Sequence, residues 1–81
     1  MSTQAEELEL YGRSIEVEPV RPLSGGGARL DVSAEGRQWR VDVSKSGTLQ
    51  EVVTTWEDGN LADLEEPDWL DDVLARVGRV A

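Results

Sequence analysis

Short runs in which apolar and polar residues alternate account for most of the chain between positions 14 and 44. Residues 14–18, 28–33 and 38–44 each follow this two-residue period, which is typical of strands that bury one face. We expect the first strand to end at Pro19 and Pro22, because proline lacks the N–H that a sheet ladder needs. The pattern predicts an antiparallel sheet built from strands that are neighbours in the sequence.

The pairing register of the middle hairpin follows from its turn. Glu35 and Gly36 suit the two central positions of a tight hairpin turn, which places Ala34 opposite Arg37. Counting back from this pair brings apolar residues together on one face and opposite charges together on the other. A shift of one residue would place apolar side chains opposite charged ones. The expected pairs are Val32 with Trp39, Leu30 with Val41, Ala28 with Val43, Asp31 with Arg40, and Arg29 with Asp42.

Residues 48–58 fit two kinds of secondary structure. The apolar residues at 49, 52, 53 and 56 have the spacing of a helical stripe, and Gly59 would end such a helix. The four β-branched residues at 52–55 favour a strand instead, because each of them is stiff in a helix. Asp58 and Gly59 also form a common hairpin turn. We favour a strand over 48–56, followed by the hairpin turn and a short strand over 60–64.

A helix is predicted over residues 67–77. Pro67 suits the first helical position, and the acidic residues around it lie where the helix dipole favours negative charge. Gly78 is a common helix stop. The apolar residues of this segment form one stripe, which we expect to lie across the apolar face of the sheet. The stripe consists of Trp69, Leu70, Val73, Leu74 and Val77.

These elements predict one small α+β domain over residues 8–81. Its expected fold is an antiparallel β-meander of four to five strands with one C-terminal α-helix packed on one face. Residues 1–7 are expected to form a mobile acidic tail, followed by Leu8, Leu10 and Tyr11 as the first apolar anchors. With 81 residues the core is small, so each large apolar side chain contributes much of the stability.

The composition removes most catalytic and metal-binding chemistry. The chain has neither cysteine nor histidine, so it lacks thiol nucleophiles, thiolate zinc ligands and the commonest general base. The glycines at 25–27 lack the spacing of a dinucleotide loop, and residues 44–47 lack that of a phosphate loop. The oxygen-rich run at 58–66 fails the pattern of a calcium loop. We therefore expect a non-enzymatic protein with no catalytic residues, no cofactor and no metal.

The net charge of −9 is the most informative bulk property. Carboxylates greatly outnumber bases, and Lys45 is the only lysine. Such a composition is typical of proteins from salt-accumulating haloarchaea, because molar salt screens the repulsion between carboxylates. An acidic protein of a high-GC bacterium is the alternative source. No signal-peptide pattern and no apolar run of membrane-spanning length is present, which predicts a cytoplasmic protein with no membrane partner.

Two classes of function remain open. The leading hypothesis is a protein–protein interaction or accessory module, homodimeric or bound to a larger partner, with Trp56 or Trp69 as a contact residue. The alternative is a nucleic-acid-associated regulator that uses Arg29, Arg37 and Arg40 on the solvent face of the middle hairpin. Against this alternative, the register pairs two of these arginines with aspartates, and the net charge repels phosphate. The sequence therefore favours the interaction module.

Overall fold

Six antiparallel strands form one sheet whose spatial order follows the sequence, and one helix packs on it. The computed structural model describes residues 6–10 and 12–78, so Tyr11 lies outside the described residues. The elements are β1 (Glu6–Leu10), β2 (Arg13–Pro22), β3 (Ala28–Ala34), β4 (Arg37–Val43), β5 (Leu49–Glu57), β6 (Asn60–Leu61) and α1 (Leu70–Gly78). The predicted α+β meander is confirmed, with six strands in place of four to five.

The hairpin of β3 and β4 has the predicted register. Val32 lies opposite Trp39, and the other expected pairs are also formed. The turn residues Glu35 and Gly36 have φ angles of 54° and 80°, as the common two-residue hairpin turn requires. The Gly36 carbonyl oxygen accepts a hydrogen bond of 2.7 Å from the Asp58 amide. The turn of this hairpin and the turn between β5 and β6 therefore lie side by side at one end of the sheet.

β5 is the strand that the β-branched run favours, and the helical alternative for this segment is wrong. It pairs with β4, although two register shifts interrupt the ladder, one between Arg40 and Val41 and one between Asp42 and Val43. Each shift is a β-bulge, which inserts one extra residue and bends the strand. The apolar faces of β4 and β5 agree at the Val41–Val52 and Val43–Leu49 pairs, whereas at the other end Trp56 lies opposite Gln38 on the polar face.

The Thr55 side chain ends the sheet earlier than expected. β6 contains only Asn60 and Leu61, so the prediction of a strand over 60–64 is wrong for its last three residues. The Thr55 hydroxyl donates a hydrogen bond to the Ala62 carbonyl oxygen and accepts one from the Leu64 amide. These bonds satisfy backbone groups that a longer β6 would have paired with β5. The chain after Leu61 therefore leaves the sheet edge.

The N-terminal half of the sheet differs from the expectation at two points. β1 begins at Glu6, so residues 6 and 7 of the expected tail belong to the sheet. The other five residues of that tail, 1–5, lie outside the described residues. β2 continues through Pro19 and ends at Pro22, so only the expected end at Pro19 is wrong. β1 pairs with β2 only as far as Val17. The rest of β2 has no partner on its outer side among the described residues, and at such an edge position a proline needs no ladder partner.

The core lies between α1 and one face of the sheet. Trp69 is 7% exposed and packs edge-to-face against Trp39, with ring centroids 5.4 Å apart. α1 begins at Leu70 and not at Pro67, so Trp69 lies in the turn before the helix. The predicted packing of this segment on the Trp39 face is confirmed, and the side chain of Val77 lies outside the described residues. The buried apolar residues are Leu10, Ile15, Val17, Leu30, Val32, Ala34, Trp39, Val41, Val43, Trp69, Leu70, Val73 and Leu74.

Candidate functional site

The sheet face opposite α1, here called the open face, carries the candidate site. In the described part of the chain the only α-helix packs on the other face, so the side chains of the open face remain accessible. An open groove of about 680 Å³ lies on this face beside the two hairpin turns. Concave surfaces of this size are the usual places where proteins bind ligands and extended partners. Its lining includes Glu7, Glu16, Ser33, Gln38 and Trp56.

Two bidentate ion pairs cross the middle of the open face. Arg29 donates to the two carboxylate oxygens of Asp42 at 2.7 and 3.1 Å, and Arg40 donates to those of Asp31 at 2.8 and 3.0 Å. The hydrogen bonds from Arg29 hold the pKa of Asp42 below its usual value, and those to Asp31 raise the pKa of Arg40. Both guanidinium groups therefore remain charged, and each has its fork-shaped donor edge occupied by a carboxylate.

One line of directly opposed residues crosses all six strands, and most of its members line the groove. Directly opposed residues of an antiparallel pair point to the same face. We call this line the cross-strand row. It is acidic at the β1–β2 end, polar and uncharged in the middle, and apolar at the β5–β6 end. Its members in order are Glu7, Glu16, Ser33, Gln38, Trp56 and Leu61.

The acidic end of the cross-strand row lacks compensating positive charge. Glu16 is exposed, and it forms no ion pair with any described residue. Glu7 is also exposed and accepts a hydrogen bond of 2.6 Å from the neutral Ser14 hydroxyl. The central arginines of the open face, Arg29 and Arg40, are already held by aspartates. This end of the groove therefore presents to a partner two carboxylates that form no ion pair with a described residue.

The apolar end of the cross-strand row consists of a fixed aromatic ring and an exposed aliphatic side chain. The Arg40 guanidinium carbon lies 5.2 Å from the centre of the Trp56 ring, within the range of a cation–π contact. Because Arg40 is itself held by Asp31, this contact fixes the orientation of the half-buried indole. Leu61, directly opposite Trp56, is 76% exposed. The two side chains form an anchor point for an apolar group.

The five residues predicted to take part in interactions fall on two different faces. Trp56, Arg29 and Arg40 lie on the open face and Trp69 on the face toward α1, whereas Arg37 shares the register of the α1 face but also lines the end of the groove. The placement of Arg37 on the solvent face with the other two arginines is wrong, because its partner Ala34 belongs to the core. Arg37 forms an ion pair of 3.2 Å with Glu57 at the end of the sheet. No single face therefore carries all three arginines.

Sequence reasoning missed the polar part of the cross-strand row. No sequence motif includes Glu16, Ser33 or Gln38. They form one line only because the strands of the sheet pair in this register. The predicted hairpin register already places Ser33 opposite Gln38. Glu16 could not be added to that pair, because the loop between β2 and β3 is too long to fix their register.

The groove offers carboxylates, hydroxyls, an amide and an indole, which are groups suited to recognition. Among residues 6–10 and 12–78, no three potential metal-ligating side chains come together. No helix within those residues is long and apolar enough to span a membrane.

Comparison with known protein families, with curated proteins and with solved structures found no match to this chain. The function is therefore inferred from the geometry and charge of the open face.

Proposed function

We propose that the protein is a non-enzymatic interaction module that binds a basic segment of a partner protein on its open face. One observation carries the proposal: the same groove combines an apolar anchor at Trp56 with carboxylates at Glu7 and Glu16 that lack cationic partners. An apolar anchor supplies affinity, and complementary charge supplies specificity and speed of association.

A basic partner fits the charge of the whole molecule as well as that of the groove. The chain has a net charge of −9, so it attracts cationic segments over distances set by the ionic strength. Glu9 and Glu18 are exposed on the same side of the sheet as Glu16, and neither forms an ion pair with a described residue. The β1–β2 half of the open face is therefore the end that attracts Lys or Arg side chains.

A second copy of the chain and a nucleic acid are weaker candidates for the same face. Two molecules that each carry −9 repel each other at moderate salt. A phosphate group would have to displace Asp31 or Asp42 from bidentate bonds of 3.1 Å or less. The free carboxylates of the row would add further repulsion of phosphate.

The test is selection of ligands from a random peptide library displayed on phage, carried out at about 0.15 M salt, where charge attraction still acts within about 8 Å. We expect the selected peptides to be enriched in Lys or Arg together with one aliphatic or aromatic residue. Each selected peptide is then measured against Trp56→Ala, Glu16→Lys and Asp71→Lys. Asp71 is an exposed residue of α1, so Asp71→Lys makes the same charge change on the opposite side of the molecule.

The proposal predicts that Trp56→Ala and Glu16→Lys each weaken binding while Asp71→Lys leaves it nearly unchanged. Peptides without a positive charge, or peptides that bind all three variants alike, would contradict it. So would a stable dimer of the wild-type protein in sedimentation equilibrium that Glu16→Lys converts to monomer, because that result assigns the open face to a second copy.

A further inference from the structure

The cross-strand row sets distances that a bound segment has to match. Neighbouring strands are about 4.8 Å apart, so Glu16 is about 14 Å and Glu7 about 19 Å from Trp56 along the row. An extended peptide advances about 3.3 Å per residue and points every second side chain to the same side. Side chains four and six residues from a given residue therefore lie about 13 and 20 Å from it, on the same side.

We infer that the row recognises an extended segment with one apolar residue and, four and six residues away in the chain, two Lys or Arg residues. The apolar residue contacts Trp56 and Leu61, and the two basic residues contact Glu16 and Glu7. This inference rests on the proposed function and adds to it the spacing of the recognised side chains. Either direction of the segment along the row satisfies the spacing.

The middle of the row suits the backbone of such a segment. Ser33 and Gln38 are half-buried, uncharged and shorter than the flanking tryptophan, so they form the floor between the two ends. A segment that lies across strands cannot extend the ladder of the sheet, so its backbone groups need side-chain partners. The Ser33 hydroxyl and the Gln38 amide each supply both a donor and an acceptor for this purpose.

Binding across the strands is favoured over addition of a strand at a sheet edge. The outer edge of β2 carries Pro19 and Pro22 beyond the end of β1, and proline blunts an edge. β5 is bent by two bulges along the part that β6 leaves uncovered. The edge strand β1 is regular but only five residues long, so neither edge of the described sheet offers a long ladder, whereas the row crosses the sheet without a break.

The test compares two capped peptides of identical composition and charge. In Leu-Ser-Thr-Ser-Lys-Thr-Lys the lysines follow the leucine by four and six positions. In Leu-Lys-Ser-Lys-Thr-Ser-Thr they follow it by one and three positions, which turns them to the other side of an extended chain. Each peptide is titrated into the ¹⁵N-labelled protein, and Kd is obtained from the amide shifts. We expect the first peptide to bind about 3- to 10-fold more tightly than the second. This is the gain in affinity expected from two exposed ion pairs.

A pair of protein variants separates the row from general charge attraction. Glu18 is exposed on the same strand and the same face as Glu16, but it lies in the next line of residues, opposite Asp31. We expect Glu16→Lys to weaken the first peptide about 3-fold or more, and Glu18→Lys to weaken it less. Replacement of the lysine that lies four positions after the leucine (the fifth residue of the peptide) by glutamate should restore binding to Glu16→Lys and not to Glu18→Lys.

Equal affinities for the two peptides, equal effects of the two variants, or no binding of either peptide would each overturn the inferred spacing. The proposed function is judged separately by the library selection. If the selected ligands bind the open face while the two designed peptides do not differ, the interaction module stands and the spacing is wrong.

Discussion

Removal of the Trp69 side chain is the substitution with the largest expected effect on folding. Trp69 is 7% exposed and packs between the start of α1 and the sheet, with its ring edge-to-face on Trp39. Truncation of a buried tryptophan to alanine costs about 3–5 kcal/mol, to which the lost aromatic contact contributes about 0.5–1.5 kcal/mol. A domain of 81 residues has about 4–12 kcal/mol of stability in total. We therefore expect Trp69→Ala to be largely unfolded or close to it.

The assay is urea denaturation followed by far-UV circular dichroism, together with the dispersion of backbone amide signals. Trp56→Ala is the matched control, because it makes the same change on the open face, where the ring is half-buried and contacts Arg40. We expect the control to cost about 1–2 kcal/mol and to keep dispersed amide signals. A Trp69→Ala variant that unfolds at the wild-type urea concentration would refute the packing of α1 on the sheet.

Three further predictions concern charge. Arg40→Asp should cost a few tenths to about 1 kcal/mol in urea denaturation, and the added Asp31→Arg change should recover part of it, whereas purely additive costs would count against the bidentate pair. The pKa of Asp42 is lowered in the folded protein, so its pairing with Arg29 contributes stability above about pH 4 and loses it as the pH falls further. The difference in stability between wild type and Asp42→Asn should therefore shrink below about pH 4, and a difference independent of pH would contradict this. The melting temperature should rise from low salt to molar KCl because the net charge of −9 is screened, and a flat dependence would argue against salt adaptation.

The parts of the fold that could be predicted are those fixed by local chemistry. The turn at Glu35 and Gly36 sets the register of β3 with β4, and the pairing of Asp31 with Arg40 is an independent check of that register. For residues 49–57, the β-branched run and the following turn correctly predicted a strand and not a helix. In each case the deciding residues lie within a few positions of one another in the sequence.

The parts that could not be predicted depend on distant segments. Glu6 and Glu7 are charged residues of a polar N-terminal segment, which is typical of a tail. They belong to the sheet because they pair with β2. Pro19 is compatible with a strand because the described part of β1 leaves that side of β2 unpaired. The cross-strand row has the same origin, since Glu16 and Trp56 are brought to one groove by four strands and not by any local pattern.

The location of a bound basic peptide is the most direct test of the central claim that the open face is the binding surface. A peptide from the library selection would carry a spin label, and the broadening of each backbone amide of the protein would be measured. We expect the strongest broadening at Ser33, Gln38 and Trp56 and weaker broadening at Val73 of α1, because broadening falls steeply with distance from the label and α1 lies beyond the sheet. Broadening centred on α1, or spread evenly over the molecule, would contradict it.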